Sequence, residues 1–377
     1  MCVEKMGMTD SRLILLEGMP STGKTTNSRF LQIQLERHGI GTEWIHEVAM
    51  PHPVLFFDEV GFTKEEYRHF IKEYPAAAGI LDKIAIAREN TVTVDLNLIQ
   101  WHYRDEFDQG AYQALSQFDT WEFPIEKYKL FALDKWNYFT RQVLHNAGKV
   151  YIVDSAIFQY QIFRFLFENR PCEELQDFVS EIGAVIKPLH PSLAFLYRKN
   201  AEATIAYLEK DRGTSYLDYL YQRDKNRPYY QDKPGGAEGF KQFLRDYNAM
   251  ANQLFHSFAG NKISLEISKG NWTDLEDEML SFLGIGRTPD IAACAPNGIY
   301  KNRELGYSIK VENLSMIDPD GMERKLTPKN QKEFYVDWLP VILRFENGRL
   351  VLAGSQICDR WSATGMKYDK VEKLFCR

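Results

Sequence analysis

The chain holds too little cysteine, too little positive charge and too few long apolar runs for several whole classes of protein. Its five cysteines in 377 residues, Cys2, Cys172, Cys294, Cys358 and Cys376, are scattered, odd in number and never spaced C-x-x-C. Neither a disulfide framework nor a zinc site is expected; reduced thiols in a cytoplasmic protein are. Lys and Arg number 46 against 52 Asp and Glu, a net charge of −6, so no nucleic-acid partner is expected. No apolar run approaches the ~18 residues of a membrane span, and Met1 to Ser11 lacks the basic-then-apolar layout of a secretory leader. Neither a membrane nor export is therefore expected, and there is no internal repeat or low-complexity segment.

Against those absences stands one dense signal near the start. Leu13-Ile14-Leu15-Leu16 is an apolar run of strand length, and it leads into Glu17-Gly18-Met19-Pro20-Ser21-Thr22-Gly23-Lys24-Thr25-Thr26. The loop fits G-x-x-x-x-G-K-[ST], and a helical pattern follows at once to Gly39, the context in which that motif cradles phosphates. Gly18 and Gly23 permit the wrapped backbone that aims N–H groups inward, and the helix adds its positive end. Gly18, Ser21, Thr22, Gly23, Lys24, Thr25 and Thr26 are the expected nucleotide-binding residues. Lys24 would reach the β- and γ-phosphates and the Thr25 hydroxyl would bind Mg²⁺.

Beyond the loop the chain reads as α/β. Gly41 to Val48 is expected as a second strand ending in His46-Glu47, and Lys149 to Val153 as a third. The third delivers Asp154-Ser155 to the carboxyl edge of a parallel sheet, where Asp154 is a candidate magnesium ligand or a helix cap. Leu193 to Tyr197 and Lys262 to Ile267 complete the strands, with helices over Thr63–Tyr74, Ala156–Asn169, Phe240–Ala259 and Asp274–Leu283. Thr63 and Glu66 form a capping box.

The block between the second and third strands is crowded with rings, among them Trp101, Trp121, Tyr128, Phe131, Trp136 and Phe139. Most are expected in the core, with a pocket lining as the alternative. Lys210, Arg212, Arg223, Lys225 and Arg227 concentrate cations in an otherwise acidic chain. They read either as a solvated face or as a hinged lid whose arginines offset charge on a transferring phosphoryl group. The Ser268-Lys269-Gly270-Asn271-Trp272 loop is placed to touch a nucleotide base, and His46 and His52 lie nearer the expected site than His102 or His145.

Residues 1–285 are thus expected as one domain and 286–298, rich in Gly, Pro and Ala, as a linker. Residues 299–377 read as a small β-rich domain, with strands at Tyr307–Val311, Glu333–Trp338, Val341–Phe345 and Arg349–Ala353. The last two are joined by an Asn347-Gly348 hairpin turn.

The segment from Glu17 to Thr26 resembles the opening of thymidylate kinases and deoxynucleoside kinases, thinly extended over residues 11–285. The resemblance implies a three-layer P-loop kinase fold with a helical lid. It also implies that Glu47, just after the second strand, is the base on the acceptor hydroxyl. Those families end the third strand in Glu-Arg-Ser or Asp-Arg-Tyr, whereas Val153-Asp154-Ser155 supplies the acid without the arginine. The chain is more similar to bacterial thymidylate-kinase-like P-loop proteins of largely unassigned substrate. The shared features are His52-Pro53, Asp154-Ser155, Phe158-Gln159 and Arg212-Gly213.

The expected function is an ATP- and Mg²⁺-dependent small-molecule kinase, with GTP the alternative donor. It would act on a hydroxyl or phosphate acceptor such as a nucleoside-like metabolite or a hydroxylated antibiotic. Lys24, Glu47, Arg212, Arg223 and Arg227 are the catalytic set, and Thr25 and Asp154 the metal ligands. A partner-stimulated P-loop NTPase switch and a non-catalytic nucleotide-binding module are the alternatives. The expected partner is a small-molecule acceptor, with a homodimer left open.

Overall fold

A computed structural model describes residues 10–146 and 148–371. Cys2, Cys376 and the first nine residues, on which the leader expectation rests, lie outside the described residues. In chain order the first half-unit is β1 (Leu13–Gly18), α1 (Lys24–Arg37) and β2 (Gly41–Ile45). An insertion follows: β3 (Glu59–Thr63), α2 (Lys64–Glu73), α3 (Ala78–Ile84), β4 (Ile86–Ala87), β5 (Thr91–Asp95), α4 (Leu96–His102), α5 (Gln109–Leu115) and α6 (Ile125–His145). The chain then returns through β6 (Lys149–Asp154), α7 (Gln159–Phe167), α8 (Cys172–Ile186), β7 (Ser192–Tyr197), α9 (Ala201–Arg212), α10 (Thr214–Asp224), α11 (Gly236–Ser257), β8 (Asn261–Glu266) and α12 (Trp272–Phe282).

These strands form a parallel sheet in the order β2-β6-β1-β7-β8, flanked by helices. β1 is central, and its apolar residues serve two cores because successive side chains leave opposite faces. Leu13 and Leu15 join α6, α7, α8 and α11, with Trp136, Phe165, Phe178 and Phe243. Ile14 and Leu16 join α1 and α12, with Leu31, Leu35, Met279 and Leu280.

The insertion has its own three-stranded antiparallel sheet, order β3-β5-β4, over a core of Phe62, Phe70, Leu81, Val94 and Leu115. It is pinned to α6, where Asp134 accepts from the Asn90 and Thr91 amides, both at 3.0 Å. Lys135 pairs with Glu59 inside the protein. The Thr63–Glu66 capping box forms as expected. Trp136, Tyr128, Phe131 and Phe139 are buried, so most of the aromatic block is core.

The C-terminal domain is a closed antiparallel barrel of eight strands: β9 (Gly298–Lys301), β10 (Ser308–Glu312), β11 (Ser315–Ile317), β12 (Glu323–Pro328), β13 (Glu333–Val336), β14 (Val341–Glu346), β15 (Arg349–Gly354) and β16 (Lys367–Val371). The four expected strands correspond to β10, β13, β14 and β15. Asn347 and Gly348 both take positive φ, 50° and 76°, as a two-residue hairpin turn with right-handed strand twist requires.

The barrel docks on α1 and on the segment after β2. Arg29 of α1 is the pin: it donates to the Asp337 carbonyl at 3.1 Å and the Val341 carbonyl at 3.2 Å. Its guanidinium lies between the rings of Trp44 at 4.8 Å and Tyr335 at 5.1 Å. Nearby, Tyr335 donates to Glu36 at 2.7 Å and Ser355 to the Trp44 carbonyl at 3.1 Å. Arg29→Leu would leave two buried carbonyls unpaired, at about 1–3 kcal/mol each. Calorimetry is expected to resolve two unfolding transitions in the variant and one in the native chain, with faster proteolysis of the variant within 286–297. A single unshifted transition would show that Arg29 does not hold the domains together.

Candidate functional site

The Gly18–Thr25 loop closes on itself around a lysine. Gly18 has φ 149°, and a Cβ there would stand 2.3 Å from the Leu196 carbonyl oxygen, so no other residue fits. Gly23 has φ 85°, with the Trp272 ring 2.9 Å from where its Cβ would be. Trp272, from the loop expected to meet a base, therefore packs on the loop itself. Thr22 donates to the Met19 carbonyl at 2.8 Å. Lys24, in the first turn of α1, donates to the Gly18 and Met19 carbonyls at 2.9 and 3.0 Å. Burial pulls the Lys24 pKa down, while Glu47, Glu17 and Asp154 raise it.

Asp154 ends β6 wholly buried, and neither carboxylate oxygen has a hydrogen-bond partner. Burial, then the charge of Glu47, pushes its pKa up to about 7, against Lys24 and the Thr25 and Trp44 side chains, which approach it without closing a hydrogen bond. An orphaned, desolvated carboxylate beside a threonine hydroxyl fits a hard cation. Mg²⁺ usually takes only one or two protein oxygens and completes its shell with phosphate and water. No cluster of three or more His, Cys, Asp or Glu suited to a metal occurs among the described residues.

Glu47 is not on a strand. β2 ends at Ile45, because His46 curls the chain: its Nδ1 accepts from the Val48 amide at 3.2 Å and its carbonyl from the Ala49 amide at 2.8 Å. In that turn His46 and Glu47 both line the cleft, instead of pointing to opposite faces as strand neighbours would. Glu47 is half-buried and accepts from the Gln159 side-chain amide at 3.3 Å. Burial lowers the His46 pKa to about 4, so the ring is neutral. His52 is structural, accepting through Nδ1 from the Val54 and Leu55 amides. His102 and His145 are exposed and outside the cleft.

Glu17 is the positioning residue that sequence reasoning missed. Its buried carboxylate accepts from the Ile157, Phe158 and Gln159 amides at 2.7, 3.0 and 3.2 Å, closing the free N-terminus of α7. With Ser155 at φ 63°, this starts α7 at Gln159 and not at the expected Ala156. It also fixes the residue that holds Glu47. An acid ending an apolar strand was the available signal.

The cations from the α9–α10 region reach the same space. Arg212 ends α9 beside Asp211 at 3.2 Å, Arg223 pairs with Asp224 at 2.6 Å, and Arg227 forks onto Glu122 at 3.0 and 2.5 Å. All three line one cavity of about 1110 Å³, together with residues 20–26, Glu47, Ser155 and Gln159. Of the aromatic block only Trp121 lines it, and the barrel contributes Trp338. Gly18 and Asp154 sit behind this lining.

No protein-family model matches the chain, and no curated protein is significantly similar to it. No described helix is long and apolar enough to cross a membrane.

Proposed function

We propose that the protein is a cytoplasmic P-loop kinase that transfers the γ-phosphoryl group of ATP to a hydroxyl of a small molecule. The observation that carries this reading is the single cavity of about 1110 Å³ shared by Lys24, Glu47 and three arginines. It exceeds the roughly 300–1,000 Å³ of a one-ligand pocket, leaving room for donor and acceptor side by side. In this reading the Gly18–Thr26 backbone and Lys24 hold the donor phosphates. Thr25 and Asp154 hold Mg²⁺, which would neutralise phosphate charge. Glu47 takes the acceptor proton, and Arg212 and Arg223 exchange their carboxylates for the transferring group. Arginines supplied by the chain itself favour this over a partner-stimulated switch.

The test is ADP formation by the full chain with ATP and Mg²⁺ across a panel of hydroxylated small molecules. Acceptor-dependent ADP is expected. Steady hydrolysis indifferent to every acceptor, or tight ATP binding without turnover, would overturn the reading in favour of a switch or a regulatory module.

A further inference from the structure

The cavity has two ends, one lined by the phosphate loop and one by the insertion. Around Lys24 gather Glu47, Glu17 and Asp154, whereas Asp119 feels Glu122, Asp58 and Arg227. Tyr160 stands between the ends, next to the Gln159 that donates to Glu47 and with its ring 5.7 Å from that of Trp121. The second end is built by the insertion. A bridge between Val60 and Asp119 and a hydrogen bond from Thr120 to the Glu59 carbonyl at 2.8 Å bring residues 58 and 119 to one wall.

Charge on that wall is only partly answered from within. Arg227 is occupied by Glu122, and Lys135 by Glu59. The Asp58 carboxylate accepts only from the Asn97 side-chain amide at 3.2 Å and that of Asp119 from the Trp121 backbone amide at 2.9 Å, and no cation pairs with either among the described residues. The Trp121 and Tyr160 rings, edge to face at 5.7 Å, line the space beside them. Independently of these acids, Ser155 lies wholly buried in the lining of the same cavity with a hydroxyl that has no partner, as a polar group awaiting a ligand would.

Resting on the kinase reading, we infer that the acceptor is a hydroxylated small molecule carrying one or more ammonium groups, held by Asp58 and Asp119 against Trp121. Carboxylates and a ring face suit an ammonium. A phosphate acceptor would need an excess of cations there, whereas Asp58, Asp119 and Glu122 outnumber Arg227 on that wall. In the reaction the acceptor oxygen forms a bond to the γ-phosphorus, and its proton passes to Glu47. The bridging bond to the β-phosphate breaks with its electron pair on ADP, and the ammonium is unchanged.

The test is calorimetric binding of glucosamine and neamine to the full chain, each against its N-acetylated counterpart, which keeps the hydroxyls and loses the charge. At least one amine is expected to bind about tenfold more tightly than its acetylated form, since Asp58 is exposed and Asp119 half-buried and such pairs are worth up to ~1 kcal/mol each. Asp58→Asn with Asp119→Asn should abolish that preference while leaving ATP·Mg²⁺ affinity unchanged. Asn keeps one acceptor oxygen at each position, enough for the Asn97 and Trp121 donors, and tolerates the φ of 47° at position 58. If neither amine outbinds its acetylated form, or the double variant keeps the preference, the inference falls, and the kinase reading survives wherever ADP still forms. Amine binding that depends on both acids but never yields ADP would keep the subsite and sink phosphoryl transfer.

Discussion

Lys24→Ala is expected to abolish phosphoryl transfer, lowering kcat by about 10²–10³ while the fold is retained. The ammonium is buried in the loop and held by two backbone carbonyls at 2.9 and 3.0 Å. Those carbonyls keep other donors, the Tyr247 hydroxyl for Gly18 at 3.1 Å and Thr22 for Met19 at 2.8 Å, so the structural cost stays modest. The catalytic cost does not. A preorganised donor in a water-excluded site is worth ~3–4 kcal/mol of transition-state stabilisation, because no solvent has to reorganise when charge moves. Steady-state ADP formation checks the rate, and a thermal melt within a few degrees of the native chain checks the fold. Turnover of ATP at the native rate would remove Lys24 from the reaction altogether.

How much of this was readable beforehand depends on how far apart in the chain the partners lie. The glycine loop, the strand before it and the helix after it are contiguous, and local sterics dictate them; Gly18 and Gly23 sit where a Cβ would collide. Asp154 was legible because an apolar strand ending in an acid has a fixed place at the sheet edge. Half of the barrel was legible too. β9, β11 and β16 were not: they are three to five residues long, and the buried positions of β12 alternate with charges. The acidic wall was wholly hidden. Asp58 and Asp119 are distant in sequence and meet only through a tertiary bridge in the insertion. The place of Glu47 was anticipated by resemblance, but its conformation was set by the His46 ring, a contact that strand periodicity does not encode.

Glu47→Gln is the second large expected effect, and it separates the competing chemistries. Gln keeps the size of the side chain and its acceptor oxygen toward Gln159, but it cannot take a proton. If Glu47 is the base, kcat should fall by about 10²–10⁴, the usual yield of positioned proton transfer, with ATP·Mg²⁺ affinity nearly unchanged. The loss should be confined to acceptor-dependent turnover. In a switch NTPase Glu47 would orient water instead, and hydrolysis without acceptor would fall in parallel. Gln159→Leu provides the internal control, because it leaves the carboxylate in place and removes only its 3.3 Å hydrogen bond. A base that has lost its orientation still accepts protons, so that variant should retain more activity than Glu47→Gln. Equal activity in Glu47→Gln and the native enzyme would exclude Glu47 both as the base and as the charge that keeps Lys24 protonated against burial.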